Sequence, residues 1–111
     1  GPQTLRVIMA FESSAPMSRE QLNTLHSTAI TAWLNEHCTK GADGRAGWRK
    51  WDPDVVVEAN EDPEIAAIWK ASRSQLGNLP RLIVAVGTKV TVMDFEATES
   101  ATLDKLKGMV K

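Results

Sequence analysis

A chain of 111 residues, 42% of them hydrophobic and 24% charged, has the size and composition of one small globular domain. Its net charge of −1 supplies no overall field for drawing in nucleic acid or an acidic membrane. A single cysteine, Cys38, excludes an internal disulfide framework and points to a reducing, cytoplasmic setting. No apolar run approaches the roughly 20 residues of a membrane helix, no segment has the form of a signal peptide, and Gly1-Pro2 has the form of a scar left by tag removal.

Leu5 to Phe11 is apolar on both alternating sets apart from Arg6, the pattern of a strand covered on both faces. The polar, proline-containing stretch Glu12 to Met17 ends it. Ser18 and Gln21 have capping-box spacing, Met17 and Leu22 stand at the positions of a hydrophobic staple, and Leu22, Leu25, Ala29 and Trp33 recur at helical spacing. This predicts one helix from Ser18 to about Cys38, stopped by Thr39-Lys40-Gly41.

After a glycine-rich turn from Ala42 to Gly47, Trp48 to Asp52 reads as a strand that Pro53 restricts to an edge or a bulge. Val55-Val56-Val57 either extends it or forms a short strand of its own. Asp62-Pro63-Glu64 opens a second helix with an N-cap aspartate, proline at the first position and an acidic first turn. Its buried stripe is Ile65, Ile68, Trp69 and Leu76, and Gly77 ends it. Leu82 to Val86 is another doubly covered strand, Gly87-Thr88-Lys89 a hairpin turn, and Val90 to Phe95 an alternating, more peripheral strand. A last helix begins at Thr98-Glu99-Ser100, with Leu103, Leu106 and Val110 on one face.

The resulting order, β-α-β-α-β-β-α, resembles the thioredoxin-like superfamily. Ser14-Ala15-Pro16-Met17 stands where that family carries Cys-x-Pro-Cys, Asp62-Pro63-Glu64-Ile65-Ala66 is similar to the start of its second core helix, and Leu79-Pro80-Arg81-Leu82-Ile83-Val84 to the segment bearing its cis-proline. The resemblance covers most of the chain and implies an α/β domain, a mixed sheet of about four strands with three helices. It also implies a cis Leu79-Pro80 bond and backbone groups at Leu79 offered to an extended peptide or to glutathione. The Leu5–Phe11 and Leu82–Val86 strands are expected to be central, adjacent and parallel, and the last strand antiparallel.

The departures from the family weigh most on function. Both sulfurs are absent, Ser13 replaces the tryptophan that usually precedes the first cysteine, and disulfide exchange needs an attacking thiolate and a second, resolving thiol. The leading expectation is therefore a redox-inactive module binding a protein or peptide, or serving as an assembly part, through Ser13, Ser14, Pro16, Leu79 and Pro80. One alternative is an enzyme in which the Ser14 hydroxyl holds glutathione or another thiol ligand. A second is a nucleic-acid surface built from Arg45, Trp48, Arg49, Lys50 and Trp51, the one basic-aromatic cluster. On a strand, however, Trp48 and Lys50 fall on one face and Arg49 and Trp51 on the other. Cys38 lies at the negative end of its helix, which works against a reactive thiol. His26, His37 and Cys38 lack metal-ligand spacing, and the acidic stretch from Asp52 to Glu64 matches no calcium loop, so neither a metal nor another cofactor is expected.

Overall fold

The computed structural model describes residues 4–41 and 43–110; Gly1-Pro2 lie outside them. Four strands form one mixed sheet in the order β2-β1-β3-β4: β1 (Leu5–Ala10), β2 (Trp48–Trp51), β3 (Arg81–Val86) and β4 (Lys89–Asp94). The predicted mixed α/β class holds, with three helical units whose first is broken in two. Among the described residues no helix is long and apolar enough to cross a membrane.

The break is the first correction. Where one helix is predicted from Ser18 to Cys38, there are two, α1 (Arg19–Leu25) and α2 (Thr28–His37). Ser18 forms the predicted capping box with Gln21 at the start of α1. Ser27 then starts a second helix: its hydroxyl oxygen accepts from the Ile30 N–H at 3.0 Å, and the same hydroxyl donates to Glu99 at the start of the last helix. The local alternative that serine offers the backbone wins over continuing the turn.

The second correction concerns strand direction. β1 and β3 are central and adjacent as expected, yet antiparallel, with Leu5 opposite Val86 and Ala10 opposite Arg81. β1 and β2 are the parallel pair, and β4 runs antiparallel to β3. The cause is the segment 52–62, which contains no strand, so Val55-Val56-Val57 does not extend β2. It carries the chain from the end of β2 back towards its start, where Glu61 meets Arg49 and Asp62 lies against Gly41. α3 (Pro63–Ser72) then runs back to the other end, where Arg73 donates to the Pro53 carbonyl at 2.8 Å. The chain therefore enters β3 beside the end of β1 and must run against it. Leu79-Pro80, at this entry, is a cis peptide.

Alternation along the central strands divides the interior in two. Val7, Met9, Leu82 and Val84 face α1, α2 and α4 (Glu99–Met109), packing on Leu25, Ile30, Leu34 and Leu106. Ile8, Ala10 and Ile83 face α3, packing on Ile65, Trp69 and Leu76. Gly87 sits at φ 61° at the first position of the two-residue β3–β4 turn, a left-handed conformation that glycine adopts without a Cβ penalty.

Candidate functional site

β1 ends at Ala10, and the turn from Glu12 to Met17 crosses the carboxyl end of the parallel strands before α1 begins. Its serines are held by carboxylates. Ser13 donates its N–H and hydroxyl to Asp52 Oδ2 at 2.8 and 2.6 Å, and Ser14 donates its hydroxyl to Glu12 Oε1 at 2.9 Å. The bonds from the Ser13 hydroxyl and from the Asp54 and Ser13 backbone lower the Asp52 pKa to about 2, so it stays an ionised acceptor throughout the neutral range. Carboxylate oxygens of Glu12, Asp52 and Asp54 come within 4.8 Å of one another. With Asp52 taken by Ser13 and Asp54 N–H donors and Glu12 by Ser14, the Asp52 and Glu12 carboxylates serve as acceptors that fix the turn.

Beside this turn lies a cleft of about 250 Å³ on the α1 side of the sheet. Phe11, Met17, Leu22 and Leu25 make its apolar walls, and Ser13 and Lys50 stand among its lining residues. The staple pair predicted from sequence, Met17 and Leu22, thus forms part of a concave surface. Leu22 remains 42% exposed, and Met17 is half-buried.

Of the expected contact residues, only Ser13 lines this cleft. Ser14 and Pro16 are exposed on the outer side of the turn. Leu79 packs towards the α3 side of the sheet and Pro80 is buried, so the Leu79-Pro80 pair shares the sheet end with the turn without lining the same hollow. The Ser14 hydroxyl already donates to a carboxylate, and a second negative group beside Glu12 would meet repulsion.

The basic-aromatic cluster is split as alternation requires. Arg49 turns to the α3 side, its side chain 8% exposed, and makes a 2.7 Å ion pair with Glu61; Trp51 packs edge-on against Trp69 with ring centroids 5.4 Å apart. Trp48 and Lys50 lie on the other side with Arg45, beside an open trough of about 620 Å³ that also takes in Lys40. Lys40 escaped the sequence reading because its place depends on the bridge between Lys40 and Ala46, just before β2, which composition and periodicity do not reveal. The Trp48 Nε1–H donates to Asn35 on α2 at 2.8 Å, and the Lys50 ammonium lies 5.9 Å over the Trp48 ring.

Cys38 is the C-cap of α2, 5% exposed, and burial pushes its thiol up to about 12 despite the opposing influence of Arg6. The native protein at pH 8 is expected to react with dithiodipyridine on the order of 100-fold or more slowly than the unfolded chain, whose thiol has the ordinary pKa near 8.5. Equal rates for native and unfolded protein would show an accessible, reactive thiolate. A scan of family models, a search of curated proteins and a search of solved structures each found no match for this chain.

Proposed function

We propose that this chain is a redox-inactive, thioredoxin-like binding module whose cleft beside the Glu12–Met17 turn receives an apolar side chain of a protein or peptide. The observation that carries the reading is the pairing of that preformed apolar hollow with a turn that holds no thiol. The Ser13 and Ser14 hydroxyls are tied to the Asp52 and Glu12 carboxylates and neither is bonded to a histidine, an arrangement suited to holding a ligand. Leu22 offers apolar area that is desolvated when a side chain enters, worth about 25 cal/mol per Å² covered.

Amide shifts on titration with acetyl-Phe-Ser-Gly-Ser-Gly-amide test this. Shifts centred on Phe11, Met17 and Leu22, abolished by Leu22→Asp, are expected. Because Leu22 is exposed, that variant keeps its fold. Shifts confined to other surfaces, or none at millimolar peptide, would remove the binding site. Glutathione should leave Ser14 unshifted, and insulin reduction by dithiothreitol should proceed at its uncatalysed rate; glutathione shifts centred on Ser14 and Leu79 would favour a thiol-ligand enzyme instead.

A further inference from the structure

Lys50 stands between two hollows. It lines both the apolar cleft at the Glu12–Met17 turn and the basic trough that runs along β2, so the two form one continuous surface on the α1–α2 side of the sheet. At one end are Phe11, Met17 and Leu22; beyond Lys50 come Trp48, then Arg45 and Lys40. We infer that the ligand of this module is an acidic segment of a protein, with one large apolar residue seated in the cleft and carboxylates following it along Lys50, Arg45 and Lys40. The inference rests on the binding reading of the cleft given above and names the partner class for it.

Charge is the first argument. Among the described residues, no carboxylate lies within ion-pair distance of Lys50 or Lys40, and Arg45 has only a 3.8 Å contact with its near neighbour Asp43. Burial lowers the pKa of Lys50, the direction expected for an ammonium that has lost water without gaining a counter-charge, and an incoming carboxylate supplies one. On a chain of net charge −1, Lys40 and Lys50, with Arg45 between them along one trough beside an apolar pocket, form a local pattern.

Length is the second. From Lys50 back to Trp48 is two residues of strand, about 7 Å at roughly 3.3 Å per residue, and the chain then bends at Gly47 before Ala46, which bridges to Lys40, so the whole span is shorter than four extended residues. An extended pentapeptide covers that span. Main-chain pairing is not the means of recognition near Trp48, because its N–H already donates to the Ala46 carbonyl at 2.9 Å and its carbonyl accepts from Arg49 Nη1 at 2.7 Å. Beside Trp48, side chains therefore read the ligand.

The same geometry disfavours single-stranded nucleic acid. A stacking platform needs successive free aromatic faces, and Trp51 is packed against Trp69 while Lys50 covers the Trp48 ring. Arg49, the fourth cation of the segment, is committed to Glu61. The cleft beyond Lys50 is walled mainly by apolar side chains, with Glu12 among its lining residues, and so suits an apolar group better than a phosphate.

The test compares acetyl-Phe-Glu-Asp-Glu-Asp-amide, acetyl-Phe-Ser-Gly-Ser-Gly-amide and a ten-nucleotide oligothymidylate on the native chain, read by amide shifts and Trp fluorescence. The acidic peptide should shift Met17 and Leu22 together with Trp48, Lys50 and Arg45, and bind at least about fivefold more tightly than the neutral one at low salt. That advantage should vanish in high salt and fall in the Lys40→Gln/Arg45→Gln variant, whose two residues lie in the trough outside the cleft, while neutral-peptide affinity stays unchanged. The salt dependence is read on the unmodified protein and does not depend on the variant folding. Equal binding of both peptides at the cleft would overturn the acidic-partner inference and leave the binding reading standing. No shift at Met17 or Leu22 with either peptide would remove both. Tighter binding of the oligothymidylate than of the acidic peptide would replace this partner by a nucleic acid.

Discussion

Replacing Trp69 with alanine should lower the unfolding free energy by about 3–5 kcal/mol, the largest single loss expected from an apolar site in this chain. Trp69 is 2% exposed and is the central side chain between α3 and the sheet, packed in one cluster with Ile8, Ile65 and Ile83 and edge-on to Trp51. α3 covers this face together with Val55, Val57, Leu76 and Leu79, so the void left by the indole is only partly refilled. For a domain of this size, the loss corresponds to a fall in Tm of roughly 10–20 °C. Trp69→Phe should cost much less, about 1–2 kcal/mol. Phenylalanine keeps part of the buried area and removes the indole Nε1–H, which is buried without a hydrogen-bond partner and carries its own desolvation cost. Urea unfolding followed by far-UV circular dichroism measures both. A Trp69→Ala loss under about 1 kcal/mol, or Phe costing as much as Ala, would mean the face is loosely packed.

The sequence made this face legible because its signals are short-range. Asp62-Pro63-Glu64 marks the start of α3 from within one turn, with Asp62 Oδ1 accepting from the Glu64 N–H at 2.8 Å, and the stripe through Ile65 and Trp69 follows from the helical period. Strand direction was not legible in the same way. It depends on where the 52–62 segment takes the chain, and that is fixed by contacts between residues far apart, Arg49 with Glu61 and Gly41 with Asp62. The broken first helix falls between these cases. Ser27-Thr28 is a visible capping pair, but the apolar spacing of Leu22, Leu25, Ala29 and Trp33 continues straight across it and outweighs it on pattern alone.

The candidate site divides similarly. Met17 and Leu22 were identified as a staple from spacing, and the same pair makes a cleft wall because Phe11 and Lys50 arrive beside it from β1 and β2. Ser13 and Ser14 fall in the polar stretch that ends the first strand and are also candidate contacts. Their carboxylate partners are one distant and one adjacent, Asp52 and Glu12, and only the adjacent one can be inferred from the chain order. Alternation correctly separated Trp48 and Lys50 from Arg49 and Trp51, yet period alone does not say which of the two faces is closed by a helix or which cation finds a carboxylate there.

The Arg49–Glu61 pair carries the second large expected effect. The two side chains are 8% and 10% exposed, and the guanidinium also donates to the Ala46 and Trp48 carbonyls at 2.9 and 2.7 Å. Glu61→Ala leaves that cation without its carboxylate, and the expected loss is about 3–5 kcal/mol, mostly the cost of an uncompensated, poorly hydrated charge. Arg49→Met combined with Glu61→Leu removes both charges and should recover most of the loss, finishing within about 1–2 kcal/mol of the native chain. The pair also sets a pH dependence. The hydrogen bond from Arg49 holds the Glu61 pKa below the ordinary glutamate range, with burial opposing it. A carboxylate depressed in the folded state contributes fully above its unfolded pKa, about 4.3, and its contribution is lost as pH falls from there through the folded pKa. The native chain should therefore weaken over that acid window, and Glu61→Gln should flatten this part of the profile. The same hydrogen bond raises the Arg49 pKa further, so the guanidinium stays charged and adds nothing near neutrality. Thermal unfolding of the single and double variants between about pH 2.5 and pH 7 reads both effects. A double variant no more stable than Glu61→Ala, or a Glu61→Gln profile parallel to the native one, would show that 52–62 is anchored to β2 by something other than this ion pair.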